Sequence, residues 1–397
     1  MKPLFLYYSR ENRCSMNALA GAMEAAGHPG LELSFPGTAA ELKAGLKAAG
    51  PGAAALFSFF TSQQEQTARL VSELRASCPA GQHYTAGGPH PSAEPEETLA
   101  LGFDCVVTGE GEHAAAALAG ALAAGAPLPG GILKGRPLKS LGEFPPFPAR
   151  AGLFGPIEIT RGCPFACSYC QTSYLFGGRP RHRPADDILR HMDAMLSRGL
   201  RDIRFITPDA FAYGSRDGRE LNLKALGGFL QAAHALASGK GGRIYFGSFP
   251  SEVRPEHVTP ETLGLIKRFA SNRRLIIGAQ SGSARLLKAV RRGHAPGEIL
   301  RAAKLCRQFH IFPYLDFIFG LPGETPADET ETMALIEELA ALGAIIHTHA
   351  FMPLPGTPLA GAPRPPISRR MRSFIEKMES RGKAFGKWRA QSGQRVY

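Results

Sequence analysis

Three cysteines within eight residues restrict this 397-residue chain more than any other feature: Cys163, Cys167 and Cys170 in the run Ile159-Thr-Arg-Gly-Cys-Pro-Phe-Ala-Cys-Ser-Tyr-Cys170. They follow the short apolar run at 157–160, which reads as a strand, so the thiols belong to a loop at a strand end. Seven cysteines are an odd number for a disulfide framework, and in a reducing compartment such crowding points to a metal. Soft thiolates suit an iron–sulfur cluster or zinc. Zinc wants a fourth Cys or His to close its tetrahedron, and His182 is close enough along the chain to supply one. A C-x3-C-x2-C spacing without a fourth thiolate instead leaves one iron of a cubane open, as a catalytic cluster requires. The remaining cysteines, Cys14, Cys78, Cys105 and Cys306, are scattered and read as small buried or incidental thiols.

On either side of this loop the chain alternates between two periodicities. Candidate strands at 4–8, 31–34, 53–58, 83–86 and 104–108 are separated by Ala-rich amphipathic stretches. This predicts a doubly wound parallel α/β sheet over residues 1–125. The loops after its strands are Ser58-Phe-Phe-Thr61, Gly87-Gly-Pro-His90 and Thr108-Gly-Glu-Gly-Glu112, at the edge where open sheets of this kind bind ligands. Residues 126–152 are rich in Pro and Gly and read as a linker with one small hairpin at most. A second series, with strands at 157–160, 202–206, 243–246, 275–278, 314–319 and 345–349, gives six βα steps. They predict a partial barrel over 153–362, with its active site on the loops that follow the strands. Residues 363–397 read as a short basic C-terminal helical tail with a loose end.

Composition narrows the class. Hydrophobic residues at 44% with 20% charged residues fit a folded chain. No apolar run reaches the length of a membrane span, and Met1 to Arg10 has no extended apolar region or cleavage pattern behind it. A cytoplasmic protein without a membrane partner is therefore expected. The net charge of +12 invites nucleic acid. However, residues 364–397 alone carry ten Lys or Arg against Glu376 and Glu379, and such a run is ordinarily a solvated face. Nucleic acid is a possible partner but not the favoured one.

The cysteine loop, together with Gly278-Ala-Gln-Ser-Gly-Ser283, Arg291-Arg-Gly-His294, Asp316-Phe-Ile-Phe-Gly-Leu-Pro-Gly-Glu-Thr325 and Pro353-Leu-Pro-Gly-Thr-Pro358, resembles the radical S-adenosylmethionine (SAM) superfamily over residues ~150–360. The later motifs look like those of its cobalamin-binding and methylthiotransferase branches. The resemblance implies a 4Fe–4S cluster on Cys163, Cys167 and Cys170, with the open iron chelating SAM and one electron cleaving it to a 5′-deoxyadenosyl radical. Tyr169 stands where the family has its adenine contact. Thr207-Pro-Asp209 replaces the usual Gly-Gly-Glu, and Asp209 is expected to accept from the methionyl ammonium. Ser248, Ser251 and Glu252 after the third strand, and Gln280 and Ser281 after the fourth, are expected to meet ribose or carboxylate. Gly320 and Gly323 either allow close backbone approach or serve the turn.

The first domain resembles the flavodoxin-like cobalamin-binding domain that precedes many radical SAM domains. The resemblance rests on the loop 58–61, Gly87-Gly-Pro-His-Pro-Ser92, Pro95-Glu-Glu97 and Gly109-Glu-Gly-Glu112. It implies cofactor contacts from Ser58, Thr61, Gly87, Gly88, His90, Gly109 and Glu110. The Asp-x-His-x-x-Gly signature that ligates cobalt is absent, and the first loop reads Ser9-Arg-Glu-Asn-Arg-Cys-Ser-Met16. Base-off cobalamin without a protein histidine ligand is expected, with His90 in a structural or tail-contacting role.

The expected function is a cobalamin-dependent radical SAM methyltransferase acting on an unactivated carbon. A small-molecule or peptide substrate is expected, with an external electron donor of the flavodoxin or ferredoxin type. The alternatives are a non-methylating reaction (rearrangement, cyclisation or oxidation) and RNA modification of the methylthiotransferase type. Against the last, Cys14, Cys78 and Cys105 lie too far apart to suggest an auxiliary cluster. A non-enzymatic metal sensor leaves the βα steps unexplained. Arg179, Arg181, His182 and Arg183 form a basic run after the cluster loop. His347 and His349 alternate along the last strand and share one face, where they could act as acid/base groups or as core histidines.

Overall fold

A computed structural model describes residues 2–392 and separates into two compact units, residues 1–156 and 157–397. Among the described residues, no helix is long and apolar enough to cross a membrane.

The first unit is one six-stranded parallel sheet: β1 (Lys2–Leu6), β2 (Leu31–Ser34), β3 (Ala54–Ser58), β4 (His83–Gly87), β5 (Cys105–Thr108) and β6 (Gly131–Lys134), in the order β2-β1-β3-β4-β5-β6. Strand alternation sends Leu4, Leu6, Ala54 and Leu56 to one face, against the helices Arg13–Ala26 and Glu112–Ala124. Phe5, Ala55, Phe57 and Tyr84 go to the other, against the helices Ala39–Ala49 and Gln64–Ser77. Two buried faces explain why the middle strand β3, Ala-Ala-Leu-Phe-Ser, has no exposed position. The expected hairpin in the linker is corrected. Its Gly131-Ile-Leu-Lys134 is β6, a parallel edge strand along β5.

The second unit holds β7 (Ile157–Glu158), β8 (Thr160–Arg161), β9 (Arg181–His182), β10 (Asp202–Ile206), β11 (Arg243–Tyr245), β12 (Arg274–Gln280), β13 (Phe312–Phe319), β14 (Ile345–Ala350) and β15 (Ala384–Gly386). The strands β7, β10 and β11 pair in parallel, as do β12 to β15 in order, and a parallel bridge between Val253 and Ile277 links the two sets. β8 and β9 form a small antiparallel pair around the cysteine loop. The six expected βα strands are present in the partial barrel. Some of its helices start on capping side chains. Thr259 and Thr325 each accept a backbone N–H from the first turn, and Pro260 and Pro326 stand at the first helical position. The expected loose end after residue 363 is corrected as far as residue 392, and residues 393–397 lie outside the described residues. After the helix Arg369–Ser380 comes β15, paired with β14, and then fully buried Trp388.

Candidate active site

The barrel unit encloses a cavity of about 940 Å³ at the carboxyl ends of its strands, with Cys163, Cys167 and Cys170 on one wall. The loop that carries them is held by its own backbone. Gly162 sits at φ 91°, where a Cβ would come within 2.6 Å of Arg179 O, so only glycine allows this crossing. Cys163 N–H donates to Gly177 O (3.1 Å), Ser173 Oγ donates to Cys163 O (2.6 Å), and Ser168 N–H donates to Val290 O (2.9 Å). Gln171 Nε2 donates to Pro355 O (2.8 Å), which ties the loop to the Pro-Leu-Pro-Gly-Thr-Pro segment.

Burial pushes the Cys163 thiol up to about 11, and it raises Cys170 as well. Such thiols stay protonated at neutral pH until a cation takes the place of their protons. That donor set fits an iron–sulfur cluster. The buried Arg292 guanidinium lies beside it, with Nη1 3.7 Å from Cys167 Sγ and Nη2 donating to Gly278 O (2.7 Å). The zinc alternative loses its fourth ligand: His182 bonds Thr160 Oγ1 through Nδ1 (2.9 Å) and Ser215 O through Nε2 (2.8 Å). The basic run around it is structural too, since Arg183 forms a buried ion pair with Asp187 (2.6 Å).

Tyr169, Ser248, Ser251, Glu252 and Gln280 line the cavity. Gln280 reaches it through a bulge in β12, with its backbone at φ 74°. Burial pushes the Glu252 carboxyl up to about 7, against the opposing pull of Arg292, whose Nη2 is 3.8 Å from Oε1. Among the cavity-lining residues, Tyr169 OH, Arg254 Nη1 and Arg292 Nε are buried without a hydrogen-bond partner. A cavity with orphaned donors among its lining residues fits a ligand rich in oxygen and nitrogen acceptors, as SAM is.

Two of the expected contacts are not among the residues that line this cavity. Asp209 is absent from this wall: its carboxylate bonds His257 Nδ1 and accepts the Arg254 N–H (3.4 Å). Ser281 is equally absent, because its Oγ contacts Thr332 Oγ1 (3.3 Å) and accepts the Ser283 N–H (3.1 Å). Residues that sequence reasoning passed over are Arg204, Arg254, Arg274 and Phe385, all of which line the cavity. Arg292 was visible only as part of the Arg-Arg-Gly-His motif.

His294 in the same motif is a buried neutral ring. Burial, then Arg292 and Arg254, push it down to about 3. Its folded pKa lies below the ordinary ~6.5, so the stability it supports is complete above that pH and is lost as pH falls toward 3. The slope is about 1.4 kcal/mol per pH unit. A His294→Gln chain should lose that slope in urea unfolding midpoints measured from pH 7 to 5. Parallel slopes in the two proteins would contradict the assignment.

In the first unit, Ser58, Gly87 and Thr108 end three adjacent parallel strands and so share one edge. His90 N–H donates to Phe59 O (3.3 Å) and its Nδ1 lies 3.4 Å from Thr61 Oγ1, joining two of the loops. At Gly88 (φ 99°) a Cβ would stand 2.6 Å from Ser58 Oγ, whereas at Gly109 (φ 77°) it would meet nothing within 4 Å. Ser9 Oγ, Asn12 Oδ1 and His90 Nε2 are buried without hydrogen-bond partners. An open glycine edge flanked by orphaned polar atoms fits a large amide-bearing cofactor such as cobalamin. Glu110 is buried, and its carboxylate accepts the Leu138 N–H (3.1 Å).

Residues 157–336 match the radical SAM superfamily, and residues 11–119 match the B12 binding domain. The tRNA-2-methylthio-N(6)-dimethylallyladenosine synthase of Pelobacter propionicus is 30% identical over 54% of this chain and 47% of its own length. That of Saccharophagus degradans is 32% identical over 55% and 46%. The chain thus spans about half the length of these curated relatives. In fold it is similar to the radical S-adenosylmethionine methyltransferase TsrM from Kitasatospora setae, with TM-score 0.68 and 17% identity over 90% of this chain and 74% of that one. It is also similar to the cobalamin-dependent S-adenosylmethionine radical enzyme OxsB, with TM-score 0.62 and 16% identity over 85% and 52%. The two matched families bring a 4Fe–4S cluster, SAM and cobalamin as cofactors and the need for a reductant. The chain thus joins a radical SAM domain over residues 157–336 to a B12 binding domain on its N-terminal side.

Proposed function

We propose that this enzyme is a cobalamin-dependent methyltransferase that acts on an unactivated carbon of a small-molecule or peptide substrate. A flavodoxin- or ferredoxin-type donor would supply its electrons. The observation that carries this reading is the pairing of a glycine-edged B12 binding unit with a barrel in which a cavity holds three thiols and a polar wall. When bound, the cluster supplies an electron that cleaves SAM, and cobalamin supplies a methyl carrier.

The chain's own residues have narrower tasks. Cys163, Cys167 and Cys170 surrender their protons to become ligands, and Arg292 offsets the negative charge gathered beside Cys167. Glu252 and Arg292 lie side by side as carboxylate and guanidinium, an arrangement that matches the ammonium and carboxylate of an amino acid. In this role Glu252 replaces Asp209. Tyr169, Ser248, Ser251 and Gln280 orient the rest of the nucleoside. Phe351 and Leu354 give the cavity apolar lining that would help to exclude water. In the first unit Ser58, Thr61, Gly87, Gly88, His90 and Gly109 would hold the cobalamin tail, and base-off binding without a protein histidine ligand is the form this reading expects. Glu110 braces the β6 loop.

The test uses reconstituted protein with SAM and dithionite. Methyl transfer predicts S-adenosylhomocysteine at about one equivalent per bound cobalamin, alongside 5′-deoxyadenosine. If 5′-deoxyadenosine forms without S-adenosylhomocysteine, the methyl-transfer reading fails and a rearrangement, cyclisation or oxidation takes its place. RNA modification draws support from the identity to the tRNA-modifying synthases. The basic C-terminal segment adds little to it, since Arg389 is engaged by Glu379 and Glu376 within the fold.

A further inference from the structure

Strand register brings three ligand-type side chains together on the cavity wall formed by β13 and β14. Asp316 pairs directly with His347, and His349 follows two residues later on the same face. Buried Leu315, Phe317, Ile346 and Thr348 take the opposite face, so Asp316, His347 and His349 all line the cavity. Their donor atoms converge. His347 Nδ1 is 2.6 Å from Asp316 Oδ1, His349 Nε2 is 3.5 Å from the same oxygen, and the two nitrogens are 3.1 Å apart.

Neutral rings cannot give each of the three contacts in this triangle a proton of its own. A neutral imidazole carries one N–H. If both rings donate to Asp316, two N–H groups confront each other at 3.1 Å. If His349 accepts from His347, the single His347 proton is divided between nitrogen and carboxylate. A cation at the centre uses a lone pair from each atom. With bonds of about 2.0–2.1 Å, a tetrahedral ion sets its ligand atoms roughly 3.3 Å apart, near the 3.1 and 3.5 Å separations seen, while the 2.6 Å pair would have to open on binding. Phe385 stacks on the His347 ring (4.6 Å between centroids, 13° between planes) and fixes its orientation.

We infer that Asp316, His347 and His349 form a binding site for a divalent first-row metal ion, such as zinc or ferrous iron, separate from the cysteine cluster. Two imidazoles and a carboxylate suit these ions. Three protein ligands leave the ion at least one position open toward the cavity, the arrangement of a metal that receives substrate rather than one that only braces a fold. The cysteines bind iron through sulfur and this set binds through nitrogen and oxygen, so the two sites differ in chemistry as well as in place. The inference does not depend on methyl transfer.

Zinc is the useful probe, because neither the cluster nor cobalamin contains it. Reconstituted holoenzyme carrying about four irons per chain is incubated anaerobically with zinc, freed of excess by gel filtration, and analysed for zinc, iron and cobalt. The wild type should retain about one zinc per chain. Asp316→Asn and His349→Ala should each lower zinc retention by at least roughly tenfold, with iron and cobalt unchanged. The zinc X-ray absorption of the wild type should fit two imidazole nitrogens and oxygen, without sulfur. No retained zinc, equal zinc in the variants, or sulfur around the zinc would each overturn the site. Should a variant also lose iron and cobalt, its fold has failed, and the wild-type absorption spectrum decides. S-adenosylhomocysteine formation is a separate readout, so failure here leaves the methyl-transfer reading standing.

Discussion

Cys167→Ala is expected to reduce 5′-deoxyadenosine formation from SAM by at least about a thousandfold, equivalent to roughly 4 kcal/mol of activation barrier. The physical reason is the absence of a substitute ligand. Among the described residues the other cysteines, Cys14, Cys78, Cys105 and Cys306, lie outside this cavity, and His182 is committed to Thr160 and Ser215. Cys167 is also the thiol next to Arg292 Nη1, so its loss removes one partner from a buried guanidinium whose Nε already lacks one. Iron per chain should fall from about four toward none. Cys306→Ala is the matched control. This thiol is fully buried in the helix Pro296–Gln308 and pushed up to about 12 by burial alone, so it is a packing group. Its removal should leave iron and SAM cleavage intact while costing about 1 kcal/mol or so of stability. Full iron and undiminished cleavage in Cys167→Ala would refute the ligand assignment.

How much of this was legible in the sequence follows from the range of the interactions involved. The cysteine loop is local: its ligands, its glycine turn and its preceding strand lie within a short stretch, and all of them read directly. The parallel strands read well for a related reason. Strands buried on both faces, such as β3, are continuous apolar runs that stand out from the helices around them. Short strands fail that test. The Gly131-Ile-Leu-Lys134 strand is hidden in a Pro- and Gly-rich stretch, and Ala384-Phe-Gly386 lies among basic residues; each owes its existence to a neighbouring strand edge.

Side-chain destinations are less legible still. Asp209 follows the second barrel strand, where an ammonium acceptor was expected. Its partner His257, 48 positions away, decides where the carboxylate goes. Arg292 meets Cys167 across 125 positions. The alternation of His347 and His349 was visible, but Asp316 joins them only through the β13–β14 register.

Trp388 turns that difference into a second large expected effect. A solvated basic tail would tolerate any substitution there, whereas the structure makes Trp388 a core residue of the barrel unit, fully buried. Its indole Nε1 donates to Glu379 Oε1 (2.9 Å), and Arg389, held by the same glutamate, lies 4.5 Å from the ring centroid. Trp388→Ala should therefore cost about 3–5 kcal/mol, which lowers the melting temperature of a unit this size by roughly 10 °C. Trp388→Phe keeps most of the buried area and loses the N–H, so a loss of about 1–2 kcal/mol is expected.

The consequence should reach the active site. Ala350 N–H donates to Gln391 Oε1 (3.0 Å), and β15 presents Phe385 to His347, so loosening the Trp388 anchor loosens the wall that carries His347 and His349. Thermal unfolding followed by circular dichroism measures the first effect. Zinc retention by Trp388→Phe and Trp388→Ala, at a temperature where both are folded, measures the second. An alanine variant within about 1 kcal/mol of wild type would mean that the segment after Pro363 is the solvated tail its charge suggests.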